Sequence, residues 1–278
     1  MNNEEQEHFS DIQLQEDPEK KDNNTKDKTR FFSRLAVEVM GSLRLHKKEG
    51  LWDRNEKNQR DWGNVSEHCL VEVARTKILS RDLGLSEDET KKLTIAAGLH
   101  DFFKKGEKSF MGQSGLTWES TELSEEESRR IMRENGFSEE IIELAHSVGH
   151  GSLSKVEEIL NRQDLTEHEI AFLIMHYVDD YTIDSEWCKP AYDEKNDLDR
   201  RIEKNETNPR YQVLNQDGVG RFMENETTFQ AQHRIGKLVE SRIAQLIADR
   251  LHEEIRPTAL PTRIDEEIKK EIDKTEQG

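Results

Sequence analysis

The amino-acid sequence predicts an all-α fold, on three observations. Apolar residues recur at three- and four-residue spacing over long stretches. Several of these stretches open at Asn, Ser or Thr and close at glycine or basic residues, as helices do. No run of strict two-residue alternation stands out, and no internal repeat is evident.

The first helix is expected from Phe31, where Phe32, Leu35, Ala36, Val39, Met40 and Leu43 share a stripe, to the stop Lys47-Lys48-Glu49-Gly50. The residues before it, 1–29, form an acidic, polar tail with almost nothing to bury, and are expected to be disordered. After a connection rich in Asn, Arg and Trp, Asn64 with Glu67 reads as a capping box, so Glu67 is assigned to the cap rather than to chemistry. The helix it opens carries His68, Val71, Ala74 and Ile78 on its core-facing side. Leu83-Gly84-Leu85-Ser86 then stops that helix and caps the next, which runs into Thr94-Ile95-Ala96-Ala97-Gly98-Leu99-His100-Asp101.

A flexible, locally basic segment follows, with Lys104, Lys105 and Lys108 among Gly106, Gly112 and Gly115; it reads equally as a phosphate lid or as a solvated connection. A mostly polar helix from Leu123 to Asn135 precedes one from Glu139 that brings His146 and His150 four residues apart, on one face if the helix reaches that far. Thr166 opens a strongly apolar helix holding His176-Tyr177-Val178-Asp179-Asp180, an acidic pair that needs partners or a metal to offset its desolvation. Residues 185–225 read as an excursion with short helical pieces. A long helix is expected from Thr228 to Ile255 on a stripe of Ile235, Leu238, Val239, Ile243, Leu246, Ile247 and Leu251, and 257–278 as a charged tail. The helical region is taken as one domain, 30–256, with the motifs at 64–184.

Composition limits the function. Of 278 residues 32% are hydrophobic and 36% charged, and 59 acidic against 41 basic residues give a formal charge of −18. Such a field disfavours an extended nucleic-acid surface, while one pocket for a small phosphorylated substrate needs only a few cations. Cys69 and Cys188 make no disulfide framework and fit a reducing compartment. The start Met1-Asn2-Asn3-Glu4-Glu5 has no basic or apolar run, and no stretch of about 18 apolar residues occurs, so a cytoplasmic protein without a membrane segment is expected. The Ile235–Leu251 stripe leaves a homodimer open.

His100-Asp101, ending an apolar small-residue run, puts an imidazole and a carboxylate where a helix end meets a pocket, a donor mixture suited to Mn, Fe, Zn or Mg. With His68 before it and Asp179 after it, the order is His … His-Asp … Asp on three separate helices. That order resembles the HD-domain superfamily of metal-dependent phosphohydrolases. Asn64-Val65-Ser66-Glu67-His68 resembles the first-histidine motif of its deoxynucleotidase-like branch, Ala97-Gly98-Leu99-His100-Asp101-Phe102-Phe103-Lys104 resembles its His-Asp-x-x-Lys form, and Val178-Asp179 stands where the last ligand usually does. The deoxynucleotidase-like branch tends to have Glu where Lys104 stands.

The resemblance covers 64–184. It implies an HD-like helical bundle, here with an added N-terminal helix and a long C-terminal helix. It also implies a divalent ion (Mn, Mg, Co, Fe, Ni or Zn) on His68, His100, Asp101 and Asp179, with Asp101 and Lys104 catalytic. Asp180 is the rival to Asp179, read as a helix-surface residue or one that orients a ligand histidine. Two-metal members place well-separated histidines between the His-Asp pair and the final Asp; here only His146 and His150 lie there, so one ion is expected. Those two, with Lys104, are candidates for binding substrate phosphate or protonating a leaving group. His176 is read as a core histidine; Trp52, Arg60 and Trp62 are weaker candidates for substrate contact. The expected activity is hydrolysis of a phosphate ester or anhydride, with a nucleotide favoured. The alternative is a nucleotide-sensing module without turnover, and a third reading, a di-iron oxygenase, would need the extra histidines.

Overall fold

A computed structural model describes residues 24–57, 59, 62, 64–111, 115–183 and 196–276. Thirteen α-helices, with short 3-10 turns and no strand, make up the described residues, as the hydrophobic periodicity requires. The expected disordered tail lies outside the described residues as far as residue 23, and from Asn24 the chain is already helical. The first expected helix is two, α1 (Asn24–Glu38) and α2 (Met40–Lys48), with Val39 between them.

The centre of the structure is α3 (Val65–Leu83). Every residue of it except Lys77 and Arg81 is buried. It packs against α1, α4 (Glu87–Leu99), α9 (Glu167–Asp180), α12 (Thr228–Leu251) and α13 (Leu260–Glu276). Apart from the strip at Lys77 and Arg81 the helix has no solvent face, so its other polar residues must find partners inside the protein. The capping box expected at its start does not form, because Asn64 sits in the αR region (φ −101°, ψ −6°) and makes no side-chain cap bond. A capping side chain reaches the first-turn N–H groups from extended backbone. At the other end the stop at Gly84 is as expected: its φ of +68° needs no side chain, and the Arg250 guanidinium fills the space a Cβ would take.

Ser86, Ser138 and Thr166 cap α4, α7 (Glu139–Ala145) and α9 through hydrogen bonds to first-turn N–H groups. Between α4 and α7 lie the one-turn α5 (Lys104–Glu107) and α6 (Trp118–Glu134), which begins five residues before the expected Leu123. The excursion after residue 183 contains α10 (Asp197–Thr207) and α11 (Gln212–Asp217); α8 (Leu153–Leu160) completes the set. The long helix α12 ends at Leu251, where His252 turns left-handed (φ 55°), and Leu238 of its expected stripe faces solvent.

Within the charged tail expected over 257–278, residues 260–276 form helix α13. Leu260, Ile264, Ile268 and Ile272 recur every four residues and are all buried against α1 and α3. Pro257 and Pro261 read as breakers, yet each stands at the start of a helical turn, where no N–H is needed. Asp265 ties α13 inward through a buried ion pair with Arg75 at 3.2 Å, and Arg75 also donates to Tyr181 O and Thr182 Oγ1 just beyond α9. Among the described residues no helix is long and apolar enough to cross a membrane.

Candidate metal centre

Three helices meet at the motif residues. His68 stands in the first turn of α3, His100 at the C-terminal end of α4, and Asp179 in the last turn of α9. The negative ends of two helix dipoles, those of α4 and α9, therefore point at the same spot, which favours a cation there. His68 Nε2 and His100 Nε2 lie 3.9 and 4.0 Å from Asp179 Oδ1. Asp101 adjoins them, with Oδ2 3.8 Å from His100 Nε2.

One member of the group was not among the residues expected from sequence. Glu72 is fully buried on α3, one turn after His68; its Oε1 is 2.8 Å from His68 Nε2 and its Oε2 3.2 Å from His100 Nδ1. The signal that marks it is the i,i+4 spacing from His68, which places both on one helix face. His68, Glu72, His100 and Asp179 offer donor atoms that all lie within 4.8 Å of one another. Four donors about 2.1 Å from one ion in a tetrahedral site stand about 3.4 Å apart, so the group would have to draw together to hold one.

The unmet bonding of these groups fits a cation. His100 Nδ1 has the Ala97 carbonyl 3.0 Å away as its hydrogen-bond acceptor, and its Nε2 is buried without a hydrogen-bond partner. Donating Nδ1–H fixes the tautomer whose bare Nε2 is a ligand. Burial by itself would lower His68, but the Glu72 charge and the Asp179 and Glu72 hydrogen bonds raise it to about 10, the response of an imidazole among carboxylates with no metal. Burial likewise would raise Asp101; Lys104 and the two imidazoles outweigh it and hold its carboxyl well below the usual range.

Beside this group opens a cavity of ≈ 180 Å³ lined by His100, Asp101, Lys104, Asp179 and Arg201, and also by His146 and His150. Lys104 Nζ is 3.3 Å from Asp101 Oδ1 and 3.8 Å from Glu107 Oε2, and these two carboxylates raise its pKa. Arg201, from α10, was missed because 185–225 showed no periodic pattern. Its Nη2 donates to Asp179 Oδ1 at 3.1 Å, to Thr182 O at 2.8 Å and to Asp179 O. Lys105 turns away to Asp53 (2.7 Å) and Lys108 lies over the Trp62 ring, so Lys104 alone of the basic segment's lysines lines the cavity; Gly112 and Ser114 are outside the described residues.

His146 and His150 do not share a helix, since α7 ends at Ala145 and His150 begins a 3-10 turn. Both line the cavity, but burial lowers each to about 4, so neither carries the cationic proton expected of a phosphate binder or leaving-group acid at neutral pH in this arrangement. Asp180 is no surface residue. It is fully buried, 3.4 Å from His176 Nε2, and it accepts from Gln232 Nε2 at 2.7 Å; Gln232 Oε1 in turn faces His150 Nε2 at 3.2 Å. It therefore acts on a cavity histidine rather than on a ligand histidine. His176 donates from Nδ1 to Ser147 O (2.9 Å) within the core, as expected. Trp52 donates to Ser66 Oγ at 2.9 Å as a packing residue, and Arg60 lies outside the described residues.

In comparisons with known proteins, no family model matches the chain, and no curated protein or solved structure matches it.

Proposed function

We propose that the protein is a metal-dependent phosphohydrolase acting on a small phosphorylated metabolite, with a nucleotide the favoured class and one divalent ion as cofactor. The observation that carries this reading is that two cations, Lys104 and Arg201, line the cavity onto which His100 and Asp179 of the buried His68, Glu72, His100 and Asp179 group open. A structural metal site is closed, whereas this one opens on a pocket with groups suited to an anion.

His68, His100 and Asp179 would hold the ion, with Glu72 Oε1 beside His68 Nε2 as a further donor, Glu72 Oε2 facing His100 Nδ1, and Asp101 adjoining them. A bound divalent cation supplies Lewis-acid polarisation of a phosphoryl oxygen and a water acidic enough to attack near neutral pH. Lys104 meets the phosphate as a point charge, held in place by Asp101 and Glu107. Arg201 offers a planar fork toward the same oxygens while its bonds to Asp179 and Thr182 keep it rigid.

The test is metal analysis of the purified protein followed by a screen of nucleoside mono-, di- and triphosphates with Mn, Co and Mg. Phosphate release is expected, and Asp101→Ala is expected to lower kcat/KM by about a hundredfold or more. No release in any combination, or release unchanged by Asp101→Ala, overturns the proposal. Tight nucleotide binding without turnover that survives Asp101→Ala would favour the sensing module instead. Arg201→Ala is expected to lower kcat/KM about tenfold or more, with partial recovery in Arg201→Lys, because lysine restores the charge without the fork. Equal activity of the alanine variant and the wild type would remove Arg201 from the site.

A further inference from the structure

The cavity wall away from the metal ligands is one face of α6. Thr121, Ser124, Glu125 and Ser128 fall at i, i+3, i+4 and i+7 and all line the cavity. The face continues into Ile131 and Met132, which are buried in the hydrophobic core. Where this stripe meets protein it is apolar; where it meets the cavity it is hydroxyl and carboxylate, although Ser124 and Ser128 are as buried as core residues. A stripe that only packed against neighbouring helices would gain nothing from those groups.

The hydrogen bonds on this wall give it a direction. His146 donates from Nδ1 to Ile142 O at 2.9 Å, which leaves Nε2 as a lone pair. The Ser128 hydroxyl, 3.2 Å from that Nε2, must donate to it, so what remains of Ser128 Oγ is acceptor capacity. Glu125 makes no hydrogen bond or ion pair among the described residues, and its carboxylate lies over Gly151, where a Cβ would stand 2.6 Å from Oε1. Glu125, Thr121 and His150 also line an adjoining cavity of ≈ 110 Å³ beside Trp118 and Phe222. At Glu125 and Ser128 this wall offers acceptors to the hydrogen-bond donors of a ligand.

We propose that Glu125 and Ser128 form a polyol-binding subsite, so that the substrate is a sugar phosphate or nucleotide whose sugar hydroxyls donate to this wall while its phosphate meets Lys104 and Arg201. This rests on the reading of Lys104 and Arg201 as the phosphate end of the same cavity. The cavity is thus lined by cations and metal ligands together with these acceptors.

The test compares ribose 5-phosphate, n-pentyl phosphate and 5-aminopentyl phosphate on the full chain with Mn, reading kcat/KM where phosphate is released and Kd where it is not. Ribose 5-phosphate is expected to be preferred over n-pentyl phosphate by about tenfold or more. Glu125→Ala is expected to abolish that preference without changing n-pentyl phosphate, and Glu125→Gln, which keeps one acceptor, to retain part of it. No preference in the wild type, an equal loss on both esters, or a stronger preference for the aminopentyl ester overturns the subsite. If ribose 5-phosphate binds with this pattern and phosphate is never released, the subsite stands and the hydrolase reading falls.

Discussion

Glu72→Ala is expected to weaken metal binding by about a hundredfold or more, the upper end of what losing the partner of a ligand histidine costs. Glu72 is fully buried between His68 Nε2 and His100 Nδ1, so its loss removes the carboxylate beside both rings and one of the negative charges of the site, while the Ala97 carbonyl still holds His100 Nδ1–H. Glu72→Gln separates the two contributions, because the amide oxygen still accepts from an imidazole but carries no charge. Its affinity is expected between those of wild type and alanine. The readouts are metal titration with elemental analysis and the rise in Tm on adding metal, which follows RT ln(1 + [M]/Kd) and vanishes when the site is lost. Unchanged stoichiometry and affinity in Glu72→Ala would mean that His68, His100, Asp101 and Asp179 hold the ion without it.

Deleting residues 257–278 is expected to abolish cooperative folding. The deletion strips Leu260, Ile264, Ile268 and Ile272 from α1 and α3 and leaves Arg75 buried without the Asp265 carboxylate. An uncompensated buried charge of this kind costs about 3–5 kcal/mol, a large fraction of the roughly 5–15 kcal/mol by which proteins are stable. Ile268→Ala isolates the packing part and is expected to cost about 2–5 kcal/mol, read by thermal or urea unfolding. A truncated chain that melts as the full chain does would show α13 to be dispensable. Because Arg75 also holds the backbone just after Asp179, Asp265→Asn is expected to loosen the metal site before the fold.

The two outcomes show where sequence reasoning succeeds. Helix α9 was legible because its apolar run, Thr166 cap and acidic pair are local features, and the same holds for His100-Asp101 at the end of α4. Residues 260–272 were misread because charge content was weighed over the segment, while the apolar residues sit at a strict four-residue interval that needs a partner surface to matter. His146 and His150 were expected to share a helix face if the helix reached that far; the chain turns at Gly149 (φ +69°), and burial lowers the pKa of both, which spacing could not show.

The sequence by itself determined the helical class and most helix starts and stops, because each of these follows from neighbours within one or two turns; His68, His100, Asp101 and Asp179 were singled out together only by the resemblance of their order to a known pattern. Only the tertiary structure decided that Glu72 stands between the two histidines, that Arg201 reaches Asp179 from a helix 22 residues further along the chain, and that Asp180 acts through Gln232 on His150. Each depends on elements distant in sequence closing on one point. A single helix can show that a charge is buried, as the acidic pair of α9 does, but not its partner, which another helix supplies.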